Sequence, residues 1–368
     1  MLLCLVAAMT AKVPSLPSTA PAVAPAVAGP DFESGKLGPT PIRELALSLE
    51  GSPLAPLLDE LGRELESHGI RRLRPQFYLS TEWGVPFGTI AIAIPFYLAR
   101  PDLTSLHAER TSFVEGISRS DLLRYLRHEM GHVVNYAYRL YDRAEWVRLF
   151  GSMSQPYVEE YRPQPFSRRF VRHLPGWYAQ KHPDEDWAET FAVWLTPDHD
   201  WRAEYAAWPE ALAKLELCDR TMAELADHEP LATAADRDVD VSEIATPLDD
   251  FYRDLEAPAE DLPPGLDGAL RSLFGDLRTG GDGAGDRAGS LPAAELIRRL
   301  GRQLPTEVYR WTGHFPERTR RLLLQLGVRA EELRLTYPAA LENEASIAFT
   351  TLVTALAMNY VHGGSYAP

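Results

Sequence analysis

The residues His128-Glu129-Met130-Gly131-His132 bring together three side chains that can do chemistry at one spacing. Residues four apart share a helix face, so His128 and His132 can present both imidazoles to one metal ion. Glu129 is turned away from that pair, yet it stays near enough to take a proton from an attacking water. Two nitrogen ligands, a third ligand from elsewhere and a carboxylate base are what a zinc hydrolase requires. The bland alternative is a helix with two half-buried histidines bonded to their neighbours. The surrounding residues weaken it, because Met130, Gly131, Val133 and Val134 are uncharged, as a buried active-site helix demands.

The third ligand has to come from a second segment. His182-Pro183-Asp184-Glu185-Asp186-Trp187-Ala188-Glu189 continues through Thr190-Phe191-Ala192-Val193-Trp194-Leu195 and reads as a helix. Pro183 and Asp184 suit its start, and Trp187, Phe191, Trp194 and Leu195 its apolar side. Glu185 and Glu189 lie four apart on one face. Two neighbouring carboxylates on a mostly apolar helix are costly unless a positive charge compensates them, and a divalent metal would do so. On that reading Glu185 is the metal ligand, and Glu189 accepts the spare N–H of a ligating histidine. An ordinary amphipathic helix with an acidic first turn is the competing reading. From His132 to Glu185 is 185 − 132 = 53 residues, and the insert Phe150–Lys181 between them is rich in Pro, Arg and Tyr. It is expected to form a lid or specificity wall, and it brings His173 close in sequence as a rival ligand, with His182 just beyond it.

HEMGH followed by EDWAE resembles the gluzincin arrangement, HExxH then ExxxD or ExxxE. The phrases RHEMGH and HPDEDWAETFAVWL are similar to a bacterial family of zinc-binding metallopeptidases, and more distantly to the catalytic domain of anthrax lethal factor. The resemblance spans about Leu73 to Leu195. It implies a zincin-like domain, a peptide or protein substrate, one Zn²⁺ held by His128, His132 and Glu185, and Glu189 orienting a histidine. It also implies a role for a tyrosine seven residues before the glutamate ligand, here Tyr178, in polarising the substrate carbonyl. An ordinary amphipathic tyrosine in the loop Pro175-Gly176-Trp177-Tyr178 is the alternative.

These side chains need elements to hold them. Ser118 or Ser120 can cap the histidine helix, Asp121 suits its first turn, and Leu122, Leu123, Leu126, Val133 and Val134 form its apolar stripe. Upstream, Thr40-Pro41 starts a helix toward Leu49, and Pro53–Ser67 reads as a second. Gln76–Ser80 and Thr89–Ile94 read as strands, the latter with Ile90, Ile92 and Ile94 alternating against smaller residues. Local evidence favours a plain core strand there; the sharper alternative is an edge that pairs with an extended substrate, with Ala91 and Ala93 leaving room. The loop Glu82–Gly88 would border the cleft. Beyond Leu195 the chain reads as helical through Trp201–Leu217, acidic over Asp227–Asp240, and broken at Pro263-Pro264-Gly265. Gly275–Ser290 reads as a flexible linker. The tail has helical patterns at Pro292–Leu300, at Glu317–Leu326 stopped by Gly327, and at Ile347–Val361. The expected architecture is α+β: a start and Pro/Ala-rich linker over 1–38, a zincin-like catalytic domain over 39–245, a helical connector and Gly/Asp-rich linker over 246–290, and a C-terminal helical module over 291–368.

Composition narrows the function. The 368 residues carry a net charge of −15, which gives nucleic-acid binding no electrostatic support. Two cysteines, Cys4 and Cys218, exclude a disulfide framework and a cysteine zinc cluster. No apolar run is long enough to span a membrane, since Ile347–Val361 is short and contains Asn359. The apolar start MLLCLVAAMTAK lacks a basic n-region and precedes the Pro/Ala tract Pro14–Pro30; it leans toward export, while the lack of disulfides leans toward the cytoplasm. Arg298, Arg299, Arg302, Arg310, Arg318, Arg320 and Arg321 make the tail basic, either as a solvated face or as a surface for an acidic partner. Three functions stay open: a zinc peptidase, a non-peptidase zinc hydrolase, and a non-catalytic binding protein. Glu129 argues against the last, because a structural site needs no base.

Overall fold

The computed structural model describes residues 37–111, 114–158, 161–255, 265–279 and 289–366, so the apolar start and the Pro/Ala tract lie outside the described residues. The described residues form one compact unit. Its helices are α1 Ala55–Ser67, α2 Pro101–Thr111, α3 Arg119–Ala137, α4 Ala144–Phe150, α5 Pro183–Leu195, α6 Trp201–Glu204 and α7 Pro209–Leu225. After them come α8 Leu248–Leu255, α9 Leu266–Thr279, α10 Ala293–Leu300, α11 Leu304–Thr312, α12 Pro316–Glu332 and α13 Glu342–Gly363. Two small sheets complete the α+β fold: β1 Gln76–Ser80 parallel to β2 Ala91–Pro95, and β3 Ser290–Pro292 antiparallel to β4 Thr336–Pro338.

The pairing of α3 with α5 positions everything that follows. Ser118 caps α3 by accepting the Asp121 N–H, and His182 caps α5 by accepting the Asp184 N–H. Leu126, Met130, Val133 and Val134 of α3 and Trp187, Phe191 and Leu195 of α5 lie in the first apolar core. The Trp187 indole N–H donates to the Gly131 carbonyl at 2.9 Å. Gly131 lets the helices approach this closely, because a Cβ there would stand 2.7 Å from the Ala188 Cα and 3.0 Å from its carbonyl oxygen. Replacing a mid-helix glycine by alanine ordinarily stabilises by about 1 kcal/mol. Here overpacking against backbone should outweigh that gain, so Gly131→Ala is expected to destabilise by about 1–3 kcal/mol in urea titrations. A variant more stable than the parent would show that the two helices can part.

β2 is buried along its whole length. Its second edge is not open for a substrate strand, the sharper alternative: the Ala93 N–H donates to the Gly84 carbonyl at 2.8 Å, so the chain's own cleft loop occupies that position. The helix expected from Thr40-Pro41 to Leu49 shrinks to a single turn, Ile42–Glu44. The Ile42 and Arg43 N–H groups bond to the Thr246 and Ile244 carbonyls, and Ala46 turns left-handed at φ 51°, which ends the helix. Trp201–Leu217 is two helices, with Pro209 at the first turn of the second.

Leu270, Phe274, Leu296, Ile297, Val308, Leu326, Phe349 and Val353 gather in a second apolar core. The apolar face of α9 therefore belongs with the residues after 289, and the stretch read as linker from Gly275 starts as helix up to Thr279. Residues 280–288 lie outside the described residues. α12 runs straight through Gly327, because Leu322, Leu323, Leu326 and Ala330 continue one buried stripe across it. That burial outweighs the roughly 1 kcal/mol cost of a helical glycine. α13 ends at Gly364, whose φ of 74° suits a glycine after a helix. Among the described residues, no helix is long and apolar enough to cross a membrane.

Candidate metal centre

α3 and α5 face each other so that His128, His132 and Glu185 converge, with one donor atom from each within 4.8 Å of the others. His128 Nε2 and His132 Nε2 are 3.2 Å apart, and they lie 3.0 and 3.3 Å from Glu185 Oε2. All three side chains are buried. Two imidazole nitrogens and one carboxylate oxygen, with an open cleft on one side, form a donor set that fits zinc.

Each imidazole is steered by a carboxylate at its other nitrogen. His128 Nδ1 is 2.9 Å from Glu189 Oε1, and the Glu189 carboxylate also accepts the backbone N–H groups of His173 and Leu174. His132 Nδ1 is 3.0 Å from Asp184 Oδ2, an ion-pair distance without hydrogen-bond alignment. Asp184 in turn accepts the Asn135 amide at 2.7 Å and the Tyr136 hydroxyl. The sequence singled out Glu189 but not Asp184, which sits at the α5 start and looks like a dipole-favouring first-turn acid. Asp186 turns a third way, to the buried Lys214 ammonium at 2.6 Å. Burial pushes its carboxyl up to about 7 against the pull of that lysine.

Charge is tightly balanced in this pocket. Burial works to lower the His128 pKa, but the Glu185 and Glu189 carboxylates outweigh it and hold His128 at about 9. His132 is likewise raised, by Asp184 and Glu185 acting against burial. Burial works to raise Glu185, yet the two histidines hold it well below its usual range. Glu129 behaves differently. Burial raises its pKa, the two histidines only partly offset this, and its side chain faces the cleft.

The cleft is about 530 Å³ and is lined by Trp83, Gly84, Val85, Phe87, His128, Glu129 and His132, with Met153, Gln155, Tyr157 and Tyr178 from the insert. Tyr178 stands edge-on to His128 with ring centroids 5.5 Å apart, and burial keeps its phenol protonated. Tyr157, which the sequence did not single out, donates its hydroxyl to Glu185 Oε1 at 2.6 Å. Only its place in the tyrosine-rich insert hinted at it. The rival ligands are engaged elsewhere. His173 Nε2 meets the Arg124 carbonyl at 2.9 Å, and His182 bonds the Gln155 carbonyl through Nε2 and the Asp184 N–H through Nδ1. Arginines of the tail are engaged within the fold, as with Arg299 on Glu342 and Arg310 on Glu307.

If Asp184 and Glu189 orient the two imidazoles, Asp184→Asn and Glu189→Gln should each weaken zinc affinity by roughly 10–100-fold and leave the stoichiometry intact at saturation. Competition with a chromogenic chelator measures this. Unchanged affinity in both variants would remove them from the site's support.

A second cavity of about 270 Å³ shares His128, Glu129 and Tyr178 with the cleft, and Tyr309, Phe315, Pro316 and Glu317 of the C-terminal helices line it as well. No curated protein and no solved structure matches the chain, so the likeness to the lethal factor catalytic domain rests on the motifs alone. Residues 84–216, from the cleft loop through both ligand helices into α7, match the model of the family described as "Putative zinc-binding metallo-peptidase", the kind of family that HEMGH and EDWAE resemble.

Proposed function

We propose that this chain is a zinc-dependent peptidase with a zincin-like catalytic core built on α3, α5 and the β1–β2 pair. The convergence of His128, His132 and Glu185 within 4.8 Å, beside Glu129 at the floor of an open cleft, carries this reading. His128, His132 and Glu185 would hold the ion. Zinc, when bound, supplies a Lewis acid that polarises a carbonyl and makes water more acidic. Glu189 accepts from His128 Nδ1, and the Asp184 carboxylate lies at ion-pair distance from His132 Nδ1, so both imidazoles can turn Nε2 toward the metal. Glu129 takes the proton from the attacking water and passes it to the leaving amine, a task suited to a carboxylate whose pKa burial has raised. Tyr178, protonated and beside His128, donates to the oxygen on which charge develops. The substrate class, a peptide or protein, follows from the family's name.

Incubation of the full chain with an unbiased peptide library tests the proposal. Cleavage should appear with zinc, vanish with chelator and return when zinc is restored. A chain that binds zinc and cleaves no peptide under these conditions would sink the peptidase reading.

A further inference from the structure

The turn that carries Tyr178, Pro175–Gln180, is held in an unusual shape. Gly176 and Trp177 are both left-handed, at φ 81° and 62°. For tryptophan that conformation is disfavoured, and it persists only where the surroundings enforce it. Those surroundings come from α11, more than 120 positions later in the chain. The Tyr309 ring packs against Gly176, where a Cβ would come within 2.4 Å of it. The Tyr161 hydroxyl donates to the Gly176 carbonyl at 2.6 Å. The Trp177 indole N–H donates to the Trp311 carbonyl at 3.3 Å. Gly313, at the end of α11, packs on the same turn, where a Cβ would stand 3.3 Å from the Gly176 oxygen. α11 itself is rooted in the second core through Leu304 and Val308.

We propose that the C-terminal helical module is a working part of the catalytic cleft. Tyr309 is a positioning residue that, with the Trp177–Trp311 bond, locks the Pro175–Gln180 turn and so sets Tyr178 against His128. The inference rests on the peptidase reading for what Tyr178 does, but the clamp itself can be tested without turnover. Nothing in the HExxH and ExxxE pattern announces it, because it depends on a contact between two cores.

The test uses the full chain with fluorotyrosine at position 178, in the parent, Tyr309→Ala and the milder Tyr309→Phe, each checked for zinc content. Misplacement of a catalytic group by about an ångström costs up to 100-fold. Tyr309→Ala should therefore shift or broaden the fluorine resonance at full zinc loading, and lower kcat about 10- to 100-fold with little change in KM. Tyr309→Phe, which keeps the ring and removes only the hydroxyl packed on Gly176, should fall between. In a Tyr178→Phe background, Tyr309→Ala should cost much less, because the group it positions is already gone. An unmoved resonance in both variants, or equal losses of kcat in the two backgrounds, overturns the clamp. If Tyr309→Ala fails to fold, Tyr309→Phe decides by the same two readings. A parent that cleaves nothing sinks the peptidase reading alone, and the fluorine resonance still decides the clamp.

Discussion

Glu129→Gln should keep its zinc and lose about 10²- to 10⁴-fold in peptide hydrolysis, the contribution of a positioned general base. The substitution preserves shape and volume, so a side chain only 5% exposed can change without opening a void. Glu129 is not among the converging donor atoms, and its removal leaves His128, His132 and Glu185 in place. It also relieves a carboxylate that burial already disfavours in its charged form, so stability should hold or rise slightly. Zinc content by elemental analysis and single-turnover cleavage of a peptide identified from the library separate the two properties. Loss of zinc would make Glu129 a ligand, and full activity would place the base elsewhere.

His128→Ala/His132→Ala should abolish zinc binding, and Glu185→Ala should release the metal as well, whereas the parent should hold one ion per chain. Two imidazoles supply most of the affinity of such a site, and a lone carboxylate does not hold zinc against water. The pH dependence has a definite sign. In the metal-free chain His128 keeps its proton up to about 9, so zinc has to displace it. Affinity should therefore climb with pH by about tenfold per unit for each proton displaced, lose the His128 share of that slope as pH passes about 9, and fall away in acid. Isothermal titration in two buffers of different ionisation enthalpy counts those protons. Equal zinc in the parent and the double variant would remove the site from consideration.

The part of this site legible in the sequence is the local part. His128 and His132, and Glu185 and Glu189, are four apart, and helical periodicity alone places each pair on one face. What was not legible depends on which helix meets which. Asp184 reads as a dipole-favoured first-turn acid until α5 docks and turns it onto His132. Gly131 reads as merely uncharged until Ala188 arrives against it. Tyr157 lies in an irregular segment with no period to read, and its role exists only because the insert folds back over Glu185. The strand Gln76–Ser80 and the helix Pro183–Leu195 stand as read, while two helix ends differ for a related reason. The left-handed Ala46 stops the helix after Glu44 while the Ile42 and Arg43 N–H groups donate to the Thr246 and Ile244 carbonyls, and a continuous buried stripe carried α12 past Gly327.

The distance along the chain between α5 and α11 also orders events in biosynthesis. Ribosomal synthesis releases α3 and α5, with the complete donor set, well before Leu304 begins α11. A chain that ends before α11 carries all three donor residues, His128, His132 and Glu185, but lacks the Tyr309 and Trp311 that hold the Gly176–Trp177 turn. On the peptidase reading, metal capture and cleavage competence would then be separable in time, because the support for Tyr178 arrives only as the last quarter of the chain folds.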